Sequence, residues 1–426
     1  MHAMRGSYDG VLERPRSRTS IAQKRRRRRR AILGTAAIVI VLAAVMGIAA
    51  TRLIDLNGAT ASDGSRSASD GSRSATEGAV APGVNGGAKE PASGKTTSAA
   101  AGAVLASKQI QIGWVGDTTP GSKYGNPPNA GRALFEYTRK YTIAPDIMVA
   151  NLEGTFGNGG ASKCDGRSSS ACFAFQAPPA NAASLAWAGI DVVNLANNHS
   201  NDYFAAGLRS TRSALAKNKV AYTGLNGTIA VKEVDGVKVA FLGFSPYAWS
   251  PNIGNLSNAK ALVRQADKTA DVVVVLMHAG AEGADKTHTP VGAETAYGEF
   301  RGNSRAFSHA VIDAGADVVL GSGPHVVRGM EQYRGRLIAY SLGNFAGWKN
   351  FSRSGNLALS GLLTVRVAGD GRVLGGKWLP LRIASPGVPK VDPTKASLTL
   401  VRRLSVQDFA APVKLNADGT FSISAK

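Results

Sequence analysis

Cysteine is nearly missing from this 426-residue chain, which has only Cys164 and Cys172. Two thiols cannot build a cysteine-based zinc framework or a disulfide-dense scaffold. Histidine is scarce as well, six in all, and 29 acidic residues face 50 basic ones. No Gly-x-Ser-x-Gly elbow occurs and neither cysteine has a catalytic setting, so two nucleophile classes fall away. Gly116-Asp117-Thr118-Thr119-Pro120-Gly121 lacks the lysine of a phosphate-binding loop, which leaves nucleotide binding without support. Fifty glycines and 18 prolines follow no G-X-Y period, so a collagen-like chain is excluded. Apolar residues at 44% against 19% charged exclude a wholly disordered one. The length allows two or three domains and a core of ordinary size.

The net charge of +21 invites a nucleic-acid reading, but its placement argues otherwise. Residues 1–30 carry 11 Lys/Arg, six of them the run Arg25 to Arg30, against Asp9 and Glu13. Such a block suits a phosphate-binding arm, a nuclear-localisation-like patch or a membrane-topology signal, and the segment directly after it decides among them. That segment, Ala31 to Ala50, AILGTAAIVIVLAAVMGIAA, has no charge. As a helix it would run about 30 Å, the thickness of a bilayer hydrocarbon core. A buried core helix rarely runs that far without a polar face. A cleaved signal peptide is the competing reading, although its apolar region is shorter and nearer the start. We read residues 31–52 as a single-pass anchor, with residues 1–30 cytoplasmic by the positive-inside rule and the remainder outside the cell membrane.

Residues 53–107 are a different material, with the near-repeat SDGSRSA and mostly Gly, Ser, Ala and Thr. They bury too little apolar surface to offset chain entropy and are expected to form a flexible tether. Its r.m.s. reach would be about 40 Å. Cys164 and Cys172 fall in a Gly/Ser-rich insertion, and outside the cytoplasm a local disulfide is favoured over two free thiols. A loop staple without catalytic function is expected.

From residue 108 to about 390, short apolar strands alternate with helical segments, and 391–426 reads as a C-terminal extension. Strands are expected at 109–115, 146–152, 191–196, 271–277, 317–320 and 337–342, with a hairpin turning at Asp235-Gly236. Helices are expected at 132–141, 181–189, 204–218 and 300–315. The alternation argues for an α/β domain, and later hairpins make its sheet mixed.

Polar residues fall at regular places in this pattern. Asp117, Glu153, Asn198-His199, His278 and His325 each stand just past the C-terminal end of an expected strand, the edge where open α/β sheets bind ligands. A single Asp or Asn there would usually just begin a turn. Five in series, each from a different strand, point to a site. Their oxygen and nitrogen donors suit a divalent Mn, Fe or Zn ion. His2 lies in the basic tail, while His288 and His309 fall in a polar loop and on a helix, where solvated or core roles are expected.

In this order the residues resemble the bacterial capsule-synthesis CapA family, a branch of the calcineurin-like metallophosphoesterases linked to poly-γ-glutamate capsule. The resemblance runs from about residue 109 to 385. It rests on Gly116-Asp117…Gly121, Asn151-Leu152-Glu153-Gly154, Asn197-Asn198-His199-Ser200-Asn201-Asp202, His278-Ala279-Gly280-Ala281-Glu282, and a final block from Gly315 through His325 to Gly343-Asn344-Phe345. It implies two packed mixed β-sheets flanked by helices. By the same resemblance Asp117 and His325 would bind a first metal, Asn198 and His278 a second, and Glu153 would bridge them. His199, with Asp202, would serve as acid or oxyanion stabiliser, and Asn151, Asn197, Glu282 and Asn344 would contact substrate. Thr119, Gly323 and Ala279 depart from the pattern, standing where histidine, histidine and tryptophan are usual, so each metal would lack one ligand.

The resemblance supports two readings. One is a membrane-anchored enzyme of phosphoesterase type acting on a polyanionic capsule polymer or its phosphate-containing precursor. The other is a non-catalytic accessory protein that binds or guides the polymer among the other membrane subunits of a capsule synthase. The thin positive excess outside the tail suits a polyanion in both. Neither involves nucleic acid.

Overall fold

A computed structural model describes residues 99–167 and 172–424. The basic tail, the apolar run Ala31 to Ala50 and most of the tether lie outside the described residues. Among the described residues no helix is long and apolar enough to cross a membrane.

Two sheets carry the fold. The nine-stranded sheet runs, in spatial order, Val388–Val391, Val373–Ala384, Leu359–Ala368, Gln109–Thr119, Ile147–Leu152, Val192–Asn194 and Ala221–Thr223. Asn344–Gly347 pairs with the far end of Gln109–Thr119, and Thr420–Ser422 with Val373–Ala384. Gln109–Thr119 pairs parallel with Ile147–Leu152 but antiparallel with Leu359–Ala368, so the sheet is mixed. The six-stranded sheet runs Met330–Tyr333, Arg336–Ala339, Val318–Ser322, Val272–His278, Val237–Phe244 and Ala230–Val234, parallel at its centre and antiparallel at both edges.

Period-2 alternation sorts each strand between two cores. Val272, Val274 and Leu276 join Ile112, Trp114, Val149 and Leu363 in the core between the sheets. Val273, Val275 and Met277 point the other way, onto the helices Leu256–Asp267 and Ser304–Ile312 through Val263, Phe307 and Val311. Met148, Ala150 and Val115 likewise leave the central core for Leu134, Leu185 and Leu215 on the outer face of the first sheet. The result is a mixed α/β fold of packed sheets flanked by helices. Trp114 donates its indole N–H to Gly321 O, 3.2 Å away in the other sheet.

Several expectations need correction. The helix expected over 300–315 is a strand, Glu299–Gly302, followed by a helix, Ser304–Ile312. Asn303 caps that helix by accepting from Ala306 N, so the helix cannot begin earlier. The helix expected over 132–141 is broken into the short turns Arg132–Leu134 and Arg139–Thr142. Part of the expected tether, Ala99–Ser107, is a helix: alanine is the strongest helix former, and Leu105 packs on the central core. Residues 391–426 supply the helix Ala396–Asp408, whose Leu398, Leu400, Val401 and Leu404 belong to that core too.

Candidate metal centre

The strands bring their carboxyl ends to one place. Asp117 follows a register shift between Val115 and Asp117 where the strand yields at Gly116. A Cβ there would sit 1.9 Å from Gly343 O, so only glycine lets the Gly343-Asn344 segment approach Asp117. Glu153 ends its own strand and donates its backbone N–H to Thr118 O at 2.9 Å. His278 closes Val272–His278, and His325 follows Val318–Ser322 in a left-handed conformation, φ 61°.

Asp117, Glu153 and His278 each offer a ligand atom within 4.8 Å of the others, and all three are buried. Asp117 Oδ1 accepts from Asn151 Nδ2 at 2.8 Å, while Oδ2 lies 3.0 Å from His325 Nδ1. The same Nδ1 stands 2.9 Å from Asn344 Oδ1. His325 Nε2 lies 3.6 Å from Glu153 Oε1 and 3.9 Å from Glu282 Oε2. Neither oxygen of Glu153 has a hydrogen-bond partner among the described residues, and His278 Nε2, Asn198 Oδ1 and Thr119 Oγ1 share that condition. His278 Nδ1 stands 3.1 Å from Asn151 Nδ2 and 3.3 Å from Ser322 Oγ, and Nε2 is the ring nitrogen that has no hydrogen-bond partner among the described residues.

The electrostatics follow from burial. Burial drives Glu153 well above the ordinary carboxylate range, and the charges of Asp117 and Glu282 add to it. Asp117 is buried as deeply, but His325, His278 and the Asn151 amide outweigh the desolvation and hold it below its usual value. Burial takes His278 well below the ordinary imidazole range. It opposes the charge on His325 too, yet Glu153 and Asp117 lift that ring to about 10. A buried glutamate without a hydrogen bond is costly unless a cation pairs with it. Two carboxylates and an imidazole nitrogen are donors that divalent Mn, Fe and Zn accept, so the residues present fit a metal.

The other candidates take supporting places. Asn151 Oδ1 accepts from Asn194 Nδ2 at 3.0 Å and Asn197 Nδ2 at 3.3 Å, and its own Nδ2 reaches Asp117 and His278 Nδ1. Asn197 Nδ2 also binds Leu152 O at 2.9 Å. Asn344 is 2% exposed, and its amide is divided between His325 and Leu357 O. These three amides are engaged with one another, with Asp117 and His325, and with the backbone. Glu282 faces His325 and pairs with Arg301 Nη1 at 2.8 Å. His199 Nδ1 lies 2.9 Å from Asp202 Oδ2, next to the centre in sequence through Asn198. Cys164 and Cys172 are joined in a disulfide.

Gly323 shows why a usual ligand is missing. Its φ is +111°, and a Cβ there would lie 2.8 Å from Ala279 N and 3.2 Å from the His278 ring, so no side chain fits. Sequence reasoning missed four contributors. Buried Arg301 spans the loops after His278 and before His325, accompanied by Tyr247, whose hydroxyl it contacts at 2.6 Å. Trp249 Nε1 donates to Asn197 O at 3.0 Å. Lys163 Nζ lies 2.6 Å from Asp202 Oδ1. Isolated residues of these types have no motif, and Arg301 lay within an expected helix.

Residues 111–347 match the family described as "Bacterial capsule synthesis protein PGA_cap". The chain is 34% identical over 192 residues to the capsule biosynthesis protein CapA of Bacillus anthracis, covering 40% of this chain and 44% of that one. It is 30% identical over 233 residues to the PGA biosynthesis protein CapA of Bacillus subtilis, covering 50% and 57%. A Mycobacterium tuberculosis protein named for polyglutamine synthesis accessory function is 26% identical over 291 residues, covering 59% and 70%. The chain thus spans about half the length of the two CapA relatives. With a matched region of more than half its residues, the chain belongs to the bacterial capsule synthesis CapA (PGA_cap) family.

Proposed function

We propose that this protein acts in capsule biosynthesis outside the cell membrane, anchored by residues 31–52, with a metallophosphoesterase-like centre that holds a divalent cation. Asp117, Glu153, His278 and Asn198 would hold the ion, and His325 would pair with Asp117 beside it. The observation that carries this reading is Glu153: buried, without a hydrogen-bond partner among the described residues, and facing the unpartnered His278 Nε2. When bound, the ion would act as a Lewis acid on a phosphoryl or carboxyl oxygen of a poly-γ-glutamate-type polyanion or its phosphate-containing precursor. The chain's own part is positioning. Asn151 and Asn344 orient Asp117 and His325, and Asp202 holds His199 with Nε2 as the nitrogen available to a substrate oxygen. The test measures bound metal in the purified protein and capsule output in cells, for wild type and Glu153→Gln. Loss of both in the variant supports the reading, and full metal and full output in the variant sinks it.

A second reading keeps the centre and drops turnover. The absence of room for a ligand at Gly323, and Thr119 in place of histidine, favour an accessory protein that binds or guides the polymer. The name of the Mycobacterium relative supports the same reading. A wild type free of metal whose Glu153→Gln variant still loses capsule would favour it over the first. Fusion of an export-dependent reporter after Lys426 tests the anchor: activity only outside the cytoplasm is expected, and cytoplasmic activity refutes the topology.

A further inference from the structure

Asp202 is held from two sides by the chain segments that the Cys164–Cys172 disulfide joins. On one leg, Lys163 Nζ lies 2.6 Å from Asp202 Oδ1, and the Lys163 backbone N–H donates to Asp202 O at 2.9 Å. The same ammonium donates to Asn198 O at 3.2 Å. On the other leg, Phe175 N donates to Asp202 Oδ2 at 2.6 Å, and the Phe175 ring lies on the His199 ring with centroids 4.3 Å apart. Cys164 directly follows Lys163, Cys172 precedes Phe175 by three residues, and the bond between them ties the legs together. Asp202 is fully buried, whereas the Lys163 side chain is 30% exposed.

We propose that Lys163, held in place by the adjoining Cys164–Cys172 disulfide, is a positioning residue that sets the orientation of His199 through Asp202. A buried carboxylate needs its charges and donors satisfied, or it turns toward others. Lys163 occupies one oxygen of Asp202, so the other is left to Phe175 N and His199. With Oδ2 directed in this way, Asp202 holds His199 by Nδ1 and leaves Nε2 as its working nitrogen. The disulfide contributes by restricting the unbonded loop, whose closure entropy would otherwise oppose bringing both legs onto Asp202. Lys163 is not placed as a metal ligand, because its contacts are Asp202, the Asn198 carbonyl and, at 3.5 Å, His199 Nδ1.

The inference rests on the proposed role of His199, and the test separates the two. In the full-length protein, bound metal, thermal unfolding and capsule output are measured for Lys163→Met, Lys163→Arg, His199→Ala, the Lys163→Met/His199→Ala double variant and Cys164→Ser/Cys172→Ser. Lys163→Met should keep its metal and lower output on the order of a hundredfold, the scale of losing a placed proton-transfer group. Lys163→Arg should restore most of it. The double variant should be no worse than His199→Ala, since Lys163 acts through that residue. The cysteine variant should keep metal and lose output in the same direction. Full output from Lys163→Met, or losses that multiply in the double variant, would overturn the inference while leaving the His199 role intact. Full output from His199→Ala would instead overturn the reading on which it rests.

Discussion

Arg301 donates from Nη2 to the carbonyl oxygen of Gly323 at 3.1 Å and from Nε to that of Gly280 at 3.0 Å. Gly280 stands two residues after His278 and Gly323 two residues before His325. One buried guanidinium therefore ties together the two loops that carry the imidazoles of the centre. Its remaining nitrogen reaches Tyr247 Oη and Glu282, so the outer carboxylate is placed by the same side chain.

Replacing Arg301 should disturb the metal without touching it. Arg301→Lys keeps the charge but offers one nitrogen to acceptors arranged for a planar fork. Metal affinity should fall by about 10- to 100-fold, the usual effect of losing a group that orients ligands. Arg301→Met should in addition lower stability by about 3 kcal/mol or more, because Glu282 loses its partner. Metal titration and denaturant unfolding of both variants check this, and unchanged affinity in both would contradict it.

Glu153→Gln separates the cost of the carboxylate from its use. In chelator-treated protein the variant should unfold at no lower temperature than wild type, since a buried carboxylate without a hydrogen bond contributes little to the metal-free fold. Adding a divalent ion should stabilise wild type by about 2.7 kcal/mol at a hundred times its dissociation constant, and the variant much less. Thermal unfolding with and without added Mn²⁺ or Zn²⁺ is the measurement.

The ion should bind with a stoichiometry of one. Asp117, Glu153 and His278 share one 4.8 Å neighbourhood, while His325 Nδ1 already stands against Asp117 and Asn344. Metal content by mass spectrometry near one per chain is expected, and two per chain would show a second site.

Restoring a ligand at position 323 should fail. Gly323→Ala meets both a left-handed φ and the Ala279 backbone, and should cost about 1–3 kcal/mol. Gly323→His should be destabilised similarly and gain no metal. A stable Gly323→His variant with a higher metal content would show that the backbone at Ala279 yields.

Much of the α/β layout was legible because strand burial leaves a period-2 signature, as in Val272 to Leu276. The ends at Glu153 and His278 were legible because the apolar run stops at a residue that cannot be buried alone, whereas the first strand continues through Asp117 to Thr119, beyond its expected end at 115. The strand at Glu299–Gly302 was not, since Phe300 and Arg301 sit on a short apolar-polar run that also fits the first turn of a helix. Only the Asn303 cap separates the two elements.

By itself, then, the sequence determined the family, the α/β alternation with most of its central strands, and the polar residues that fall at or near their carboxyl ends. Local pattern and spacing suffice for these, because each is a property of one segment at a time. The tertiary structure alone decided which ends meet. It engaged the amides of Asn151, Asn197 and Asn344 in hydrogen bonds around the centre and left Glu153 without a hydrogen-bond partner among the described residues. It also closed position 323 to any side chain and recruited Arg301 and Lys163 as supports. Each of these depends on contacts between segments distant in the chain, where packing and the desolvation of buried charge set the outcome.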